Sequence, residues 1–382
     1  MTQFLRLIPW LLTLALISRS PAADPPKLPG KPSPPKQPER GPGGSDYPHD
    51  ELVGSLVGKG ATACYIFEPA KPRIAKAPLI VFNHGYLAVD PVAYGRWIEH
   101  MVRRGNIVVY PVYQEGLTLS IALTPNAVAG VKAAIAELEK GDHTRPDLDR
   151  FAIVGHSAGG IISANMAATW KKDCLPQPRA VMCVQPGVSK LFPIADLKQI
   201  PKETLLIALF GDNDKITADA DARLIFEQTP QIPAKNKALI ELTSDKHGWP
   251  DMNADHFAPN AVGGKGINPR GMTRIRMRAM FEGMKGKGEN SGGISGSAKE
   301  PREEDDKTPA GSKQIDDLIA LFTNGLDYYG TWKLFDGLTD AAFYGRNREY
   351  ALGNTRQQRF MGKWSDGVPV KELKVVEPKD GR

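Results

Sequence analysis

The stretch that most constrains this chain runs from Phe151 to Gly160 and reads FAIVGHSAGG. An apolar run leads into a Gly-x-Ser-x-Gly turn, and the small residues after the turn predict a helix. In such a unit Ser157 stands on a strained turn with its hydroxyl exposed, and Gly155 and Gly159 avoid clashes where strand and helix cross. The amide of Ala158 opens the helix, where the backbone field favours an anion. Because this pattern is common by chance in a Gly-rich chain, a plain Gly/Ser turn at a helix start is the alternative.

Apolar runs alternate with helical patterns on both sides of Ser157. Most of the runs are continuously apolar, which is typical of strands buried on both faces of a parallel sheet. The predicted strands are residues 61–68, 78–83, 106–111, 151–154, 179–185, 204–210 and 237–243, and the predicted helices are 94–102, 128–138 and 217–227. This alternation predicts an α/β fold with a doubly wound, mostly parallel sheet and C-terminal helical additions. The active site of such a sheet lies at the carboxyl ends of the strands, where the polar motifs of this chain fall.

A serine nucleophile needs a base, and the base needs a carboxylate that orients it. The predicted strand that ends at Phe210 is followed by Gly211-Asp212-Asn213-Asp214, which offers two acids. The Gly-x-x-Asp spacing favours Asp214. Asp212 is the alternative, and its competing role is to cap the loop or the next helix.

Two histidines in the loop after the last predicted strand compete for the role of base. His247 lies nearer the strand end, where a short loop would place it, whereas His256 lies in the segment Asp-His-Phe-Ala-Pro-Asn. The histidine that is not the base is expected to form hydrogen bonds within the loop.

An oxyanion hole needs two amide donors. Ala158 supplies one, and Tyr86, in the His84-Gly85-Tyr86 segment after the strand 78–83, is predicted to supply the other. Gly85 lets the backbone approach the substrate, and His84 is expected to support this loop. We predict that the side chains of Tyr86 and Trp249 line the substrate pocket.

Four segments together resemble the α/β-hydrolase superfamily: 84–86, 155–160, 211–214 and 256–260. Within it they are similar to the branch of platelet-activating-factor acetylhydrolase-like esterases, dienelactone-hydrolase-like proteins and bacterial cutinases, which are polyester hydrolases. The order Ser157, Asp214, His256 is similar to the chain order of that superfamily. A triad histidine followed by Phe-Ala-Pro-Asn is similar to the cutinase pattern, and for this reason His256 is preferred to His247.

The resemblance covers roughly residues 60–260 and departs from the cutinases in three ways. Ala158 stands where bacterial cutinases usually have Met, the histidine loop is longer, and a large C-terminal part follows. The resemblance implies a serine esterase that acts on a small-molecule or polymeric ester through an acyl-enzyme, with catalytic Ser157, Asp214 and His256 and no cofactor. An amidase or peptidase of the same fold and a catalytically silent, hydrolase-like binding protein are the alternatives.

The N-terminus predicts export. Residues 1–23 combine a basic start, an apolar segment and small residues at cleavage spacing, which indicate a signal peptide and a secreted or periplasmic protein. An uncleaved N-terminal anchor is the alternative. Residues 24–48 form a Pro-rich linker, in which 24–44 is expected to be an extended tether, and 49–382 form the hydrolase domain. No later segment is predicted to span a membrane.

The C-terminal part is less informative. Residues 274–285 predict a basic amphipathic helix with a methionine face, interpreted as a packed helix with a lid as the alternative. Residues 286–314 are predicted to be a flexible surface loop. Helical periodicity returns at 315–322 and 328–344, and the chain from Arg346 onward is expected to be a surface tail.

The net charge and the cysteines limit the partners, disulfides and metal sites that the sequence predicts. Without the signal peptide the formal net charge falls from +6 to +4, which does not indicate a nucleic-acid partner, and a monomer is expected. Cys64 and Cys183 fall in strand-like runs and are expected to be buried, and Cys174 follows a helix end. Their odd number and spacing predict neither a disulfide framework nor a metal site. No metal is expected, because the acidic residues at 251–255 lack the glycine and final ligand of a calcium loop.

Overall fold

The computed structural model describes residues 28–115, 118–187, 189–267 and 323–376. The described residues form one nine-stranded sheet with helices on both faces. Its strands are β1 Glu51–Val57, β2 Cys64–Ala70, β3 Lys76–Asn83, β4 Ile107–Pro111, β5 Arg145–His156, β6 Ala180–Val184, β7 Leu205–Gly211, β8 Lys237–Leu242 and β9 Lys374–Val376. Its α-helices are α1 Gly95–Arg103, α2 Ser120–Leu138, α3 Ala158–Thr169, α4 Ala220–Glu227, α5 Lys333–Tyr344 and α6 Arg356–Arg359, with a π-helix at Leu326–Trp332 and short 3-10 helices at Gly60–Thr62, Pro91–Tyr94, Leu197–Gln199, Ala234–Asn236 and Arg348–Tyr350.

The strand order is β1-β2-β4-β3-β5-β6-β7-β8-β9. The six neighbouring strands β4, β3, β5, β6, β7 and β8 pair in parallel. At the two edges of the sheet, β1, β2 and β9 add antiparallel partners. Strand β5 lies in the middle of the sheet, so its carboxyl end opens at the centre of the edge where the parallel strands end. This position is where a parallel α/β sheet places its active site.

Two apolar cores cover the two faces of the sheet. On one face, α1, the π-helix and α5 pack through Trp97, Trp332 and Phe335. On the other face, α2 and α3 pack through residues such as Val131 and Ile161. Burying both faces explains why the central strands are apolar without alternation. The prediction of a doubly wound, mostly parallel sheet is therefore confirmed.

The strands β1 and β9 and the short helix α6 were not predicted. β1 precedes the first predicted strand, and β9 pairs with β8 through Leu239↔Val376 and its neighbours. The prediction of a mere surface tail after Arg346 is wrong, since that part supplies β9, α6 and the fully buried Trp364. The predicted helix 274–285, loop 286–314 and helix 315–322 lie outside the described residues.

The Pro-rich segment lies against the domain where it is described, from residue 28 onward. Pro32 accepts a hydrogen bond from the amide of Trp249 at 2.8 Å, and Ser33 exchanges bonds with Ser365. The expectation of an extended tether is wrong for these residues, because distant parts of the chain bury Pro34, Pro35 and Pro42–Gly44.

Tyr47 belongs to a polar cluster that joins this segment to α1 and α5. The Tyr47 hydroxyl meets Nδ1 of His100 at 3.0 Å, and Nε2 of His100 meets the Asp336 carboxylate at 2.9 Å. The same carboxylate accepts from the amide of Gly43 at 2.7 Å and pairs with Arg104 at 3.2 Å. We call these five residues the Tyr47 network.

Helix α2 is long and apolar enough, by length and composition alone, to cross a membrane. The expectation that no segment after residue 23 meets that criterion is therefore wrong. In the structure the helix packs one face into the core through Leu123, Val131 and Leu138. Core helices of water-soluble domains can meet the same criterion.

The three cysteines are free. Cys64 and Cys183 are buried, as predicted, and Cys174 is exposed. Burial raises the pKa of the Cys64 and Cys183 thiols to about 12, so they behave as small hydrophobic side chains.

Candidate active site

Ser157 stands on a strained turn between β5 and α3. Its φ of 57° and ψ of −125° lie outside the regions that side chains other than glycine commonly adopt. The turn is tight enough that a Cβ on Gly159 would lie 2.1 Å from the Asn83 carbonyl oxygen, and one on Gly155 would lie 2.2 Å from that of Gly159. These contacts supply the physical reason for both glycines of the motif. The turn leaves Ser157 partly exposed at the carboxyl edge of the sheet.

Asp214 follows the end of β7 and is 4% exposed. One carboxylate oxygen accepts from the amides of Ile216 at 2.8 Å and Thr217 at 3.0 Å, and the other accepts from the Thr217 hydroxyl at 2.6 Å. Burial acts to raise the pKa of Asp214, but the hydrogen bonds from His256 and Thr217 and the charge of His256 outweigh it and hold that pKa well below its usual range. The carboxylate is therefore ionised and fixed in orientation.

His256 connects this acid to the serine. Its Nδ1 lies 2.8 Å from Oδ2 of Asp214, and its Nε2 lies 2.9 Å from Oγ of Ser157. Because the ionised carboxylate can only accept, Nδ1 carries the proton, which leaves Nε2 free to accept from the serine hydroxyl. This is the arrangement in which a histidine can remove a serine proton.

The two competing residues have other partners. Nε2 of His247 lies 2.7 Å from the Asp366 carboxylate, and its ring packs against Trp364. Asp212 accepts from the amide and hydroxyl of Ser244 at 2.9 and 2.5 Å, and so joins the loops after β7 and β8. Both residues form hydrogen bonds between loops, and the structure brings neither to Ser157.

The loop after β3 lies against the nucleophile. A Cβ on Gly85 would lie 3.4 Å from Cβ of Ser157. Within the described residues, the N–H groups of Tyr86 and Ala158 donate to no other group, and Ala158 is the first residue of α3. Two free amides beside a serine can receive an oxyanion.

His84 supports this loop from within the core. Its ring nitrogens meet the Gly85 carbonyl at 2.6 Å and the Val112 carbonyl at 2.8 Å, and the ring stacks on Tyr113 at 3.9 Å. Burial lowers the pKa of His84 to about 4. These contacts agree with the predicted supporting role.

The two predicted pocket residues have different surroundings. The Tyr86 ring is 42% exposed and meets the edge of Phe192 at 6.0 Å, which brings together the loops after β3 and β6. Trp249 is bonded through its backbone to Pro32 of the N-terminal segment. The assignment of Trp249 to the pocket therefore remains a prediction.

Sequence reasoning missed several residues that hold the site. Thr217 orients Asp214, and the signal for it was an Asp-x-x-Thr turn, in which the acid side chain bonds backbone amides two and three residues on. Gln185, at the end of β6, donates to the Asp255 carbonyl at 2.7 Å and so holds the loop that carries His256. The contact between Gln185 and Asp255 joins residues that are far apart in the chain, and no local sequence pattern predicts such a contact.

Among the described residues, no group of three or more His, Cys, Asp or Glu side chains is arranged to hold a metal ion.

Comparison with known proteins agrees with the architecture. The family model described as alpha/beta hydrolase fold matches residues 81–222, an interval that contains Ser157 and Asp214 and ends before His256. Together with the nine-stranded sheet, this match identifies the fold as that of the α/β hydrolases. It also supports a place in the α/β-hydrolase superfamily, and with it a hydrolase activity, without selecting a branch. No curated protein matched the chain.

Proposed function

We propose that this protein is an exported serine esterase that hydrolyses carboxylic esters through an acyl-enzyme. The observation that carries the proposal is the continuous hydrogen-bonded chain from Ser157 through His256 to Asp214, with distances of 2.9 and 2.8 Å. It begins at a strained, partly exposed serine, near which the amides of Tyr86 and Ala158 donate to no other group among the described residues. A serine in this setting is activated for attack on an acyl carbon.

Acylation uses each of these groups in turn. His256 takes the Ser157 proton at Nε2 as Oγ attacks the ester carbonyl. The carbonyl oxygen becomes negative and is held by the amides of Tyr86 and Ala158. Asp214 stabilises the imidazolium of His256, which then donates the proton to the leaving alcohol. A water molecule, activated by His256 in the same way, releases the acid from Ser157.

Six exposed apolar side chains lie on segments that follow strands ending at the same edge of the sheet as Ser157, and they favour an apolar substrate. We call them the apolar rim: Tyr86, Leu87, Leu119, Ile121, Leu191 and Ile216, which are 42% to 70% exposed. Five of them lie on the loops after β3, β4, β6 and β7, and Ile121 lies in the first turn of α2; these parallel strands all end at the edge where β5 delivers Ser157. Such a concentration of exposed apolar groups indicates a binding surface.

A cavity of about 200 Å³ adjoins this rim. Its lining includes Ile121 from the rim, Pro125 of α2, Asn165 of α3 and the apolar residues Pro193 and Ile194. Its lining contains none of Ser157, Asp214 and His256, and Asn165 lies about two helical turns beyond Ser157 on α3, so we assign the apolar acyl part of the ester to the rim. The similarity of the site motifs to cutinase-like and acetylhydrolase-like esterases points to the same substrate class.

Export rests on residues 1–23, whose pattern is that of a cleaved signal peptide. A secreted or periplasmic enzyme would meet small or polymeric esters outside the cytoplasm. N-terminal sequencing of the exported protein, with Asp24 as the expected first residue, tests this part of the proposal.

A substrate panel tests the activity. The panel contains p-nitrophenyl acetate, butyrate and octanoate, the matching p-nitroanilides and a polyester film, with the Ser157→Ala variant as control. We expect ester hydrolysis that the variant lacks, and kcat/KM rising by up to about fourfold per added methylene, since each buried CH₂ contributes about 0.8 kcal/mol. Faster hydrolysis of the anilides would indicate an amidase instead, and labelling by a serine probe without any turnover would indicate a silent binding protein.

A further inference from the structure

Two buried side chains outside the Ser157–His256–Asp214 chain join its parts. Tyr94 and His156 are 1% and 2% exposed. The Tyr94 hydroxyl accepts from the amide of Gly85 at 3.0 Å and lies 2.8 Å from Nδ1 of His156. Nε2 of His156 lies 2.8 Å from the backbone carbonyl oxygen of His256. One short path of hydrogen bonds thus runs from the oxyanion loop to the residue that carries the base.

The chemistry of the partners allows one placement of the protons. The His256 carbonyl can only accept, so Nε2 of His156 carries a proton and donates it. In a neutral imidazole Nδ1 then has a lone pair, and the Tyr94 hydroxyl donates to it. The Tyr94 oxygen keeps its own lone pairs for the Gly85 amide. Every donor in this path therefore has an acceptor, and the direction of each bond is fixed.

Both side chains stay uncharged over the ordinary pH range. Burial holds the pKa of His156 well below its usual value, and the neighbouring charge of His256 adds to the effect. Burial likewise raises the pKa of Tyr94 above its usual range. The hydrogen bonds described above therefore keep one pattern while His256 gains and loses its proton during turnover.

The path touches the three parts that must be aligned for catalysis. Gly85 immediately precedes Tyr86, whose amide is a proposed oxyanion donor, and His156 immediately precedes Ser157. The imidazole rings of His156 and His256 also lie beside each other, with their centroids 4.8 Å apart. A Cβ on Gly85 would lie 3.0 Å from the Tyr94 oxygen and 3.4 Å from Nδ1 of His156, so the loop has little room to shift toward them.

We propose that Tyr94 and His156 are positioning residues that hold the oxyanion loop and the base-carrying loop in register with the nucleophile. The inference rests on the proposed esterase function and goes beyond it, because it assigns to two residues that do not touch the substrate a role in aligning those that do. Their removal should weaken stabilisation of the transition state more than binding of the ester.

The test compares Tyr94→Phe with a matched control, Tyr47→Phe. In each case the lost hydroxyl lies between an N–H donor, which is Gly85 or Gln37, and Nδ1 of a buried histidine. His156→Leu and His156→Gln complete the set, since a glutamine amide can still donate to the His256 carbonyl. The concentration of active sites is titrated in every variant, and kcat, KM, the thermal midpoint and the rate of Ser157 modification by a p-nitrophenyl phosphonate are measured.

We expect Tyr94→Phe to lower kcat and the phosphonylation rate by about tenfold to a hundredfold, as small misplacements of reacting groups do, with KM little changed. His156→Leu should lose at least as much, His156→Gln should recover part of the rate, and Tyr47→Phe should lower only the thermal midpoint. The proposal is overturned if Tyr94→Phe keeps the wild-type kcat and phosphonylation rate. It is also overturned if Tyr94→Phe and Tyr47→Phe change activity alike. Failure of the esterase proposal looks different, because the wild-type protein itself would then neither turn over esters nor be labelled.

Discussion

The part of the molecule that the structure describes contains two hydrogen-bonded chains of the form hydroxyl–histidine–carboxylate, and only one of the two has the features of a catalyst. Ser157, His256 and Asp214 form the first chain. Tyr47, His100 and Asp336, which belong to the Tyr47 network, form the second. The distances are alike: 2.9 and 2.8 Å in the first, and 3.0 and 2.9 Å in the second. Distances alone therefore do not distinguish an active site from a structural cluster.

The hydroxyls differ in their surroundings. Ser157 is partly exposed and has a φ of 57°, and among the described residues the nearby amides of Tyr86 and Ala158 donate to no other group. The Tyr47 hydroxyl instead accepts from Gln37 at 2.8 Å, and burial raises its pKa to about 12 in spite of that bond. A substrate carbonyl can approach the serine, whereas the tyrosine is occupied and keeps its proton.

The histidines and carboxylates differ as well. The ring of His100 stacks on Trp332 at 4.6 Å, and Asp336 also pairs with Arg104 and the Gly43 amide. Asp214 has no Lys or Arg ion-pair partner among the described residues, so the base is its main partner for charge. The catalytic chain therefore has a carboxylate that is free to stabilise an imidazolium and a base whose other nitrogen meets a reactive hydroxyl. The second chain has neither, and its hydrogen bonds only hold parts of the fold together.

The largest effect is expected from removing the base. His256→Ala should lower kcat by about a hundred-thousandfold or more, because Ser157 then has no acceptor for its proton. His247→Ala is the control, since His247 forms a partly exposed pair with Asp366 and exposed pairs contribute little to stability. Steady-state kinetics on a p-nitrophenyl ester provide the comparison. An inactive His247 variant beside an active His256 variant would reverse the assignment.

The second-largest effect is expected from Asp214→Asn, and it distinguishes the catalytic carboxylate from the structural carboxylate of Asp336. Asp214→Asn should lower kcat by about ten-thousandfold, because the amide favours the wrong tautomer of His256. Asp336→Asn should leave kcat unchanged and lower the free energy of unfolding by about 3 kcal/mol, because Arg104 and His100 then lose their buried carboxylate and Arg104 keeps only the more exposed Asp46. Kinetics and chemical denaturation of both variants are needed. The distinction between the two clusters fails if Asp336→Asn abolishes activity or Asp214→Asn does not.

The pH dependence of stability follows from the same acid. The pKa of Asp214 in the folded protein lies below its unfolded value of about 3.9. Its contribution to stability is thus fully present above that unfolded value and is lost as the pH falls through the folded-state pKa. In acid denaturation, Asp214→Asn should lose less stability than the wild-type protein over that window.

The sequence predicted the centre of this fold well, because the relevant signals are local. The elbow around Ser157, the central strands and the Gly-x-x-Asp turn each follow from residues adjacent in the chain. The choice of His256 over His247 came from a resemblance, and the structure brings His256, not His247, to Ser157.

The features that sequence reasoning missed depend on contacts between distant residues. The segment around Gly43 was expected to extend into solvent, yet it lies against α5, whose Asp336 is 293 positions away in the chain. Tyr94 and His156 likewise make their hydrogen bonds only because the segments after β3 and β8 meet at the end of β5. Neither composition nor periodicity records which loops come together.

Of the two hydroxyls compared above, we expect only that of Ser157 to act as a nucleophile. This expectation is tested most directly by treating the protein with a fluorophosphonate and locating the label by peptide mass spectrometry, with Ser157→Ala and Tyr47→Phe treated in parallel. We predict one label per molecule, at Ser157, retained in Tyr47→Phe and absent from Ser157→Ala. A label at another residue, or none on the folded wild-type protein, would show that Ser157 is not the nucleophile.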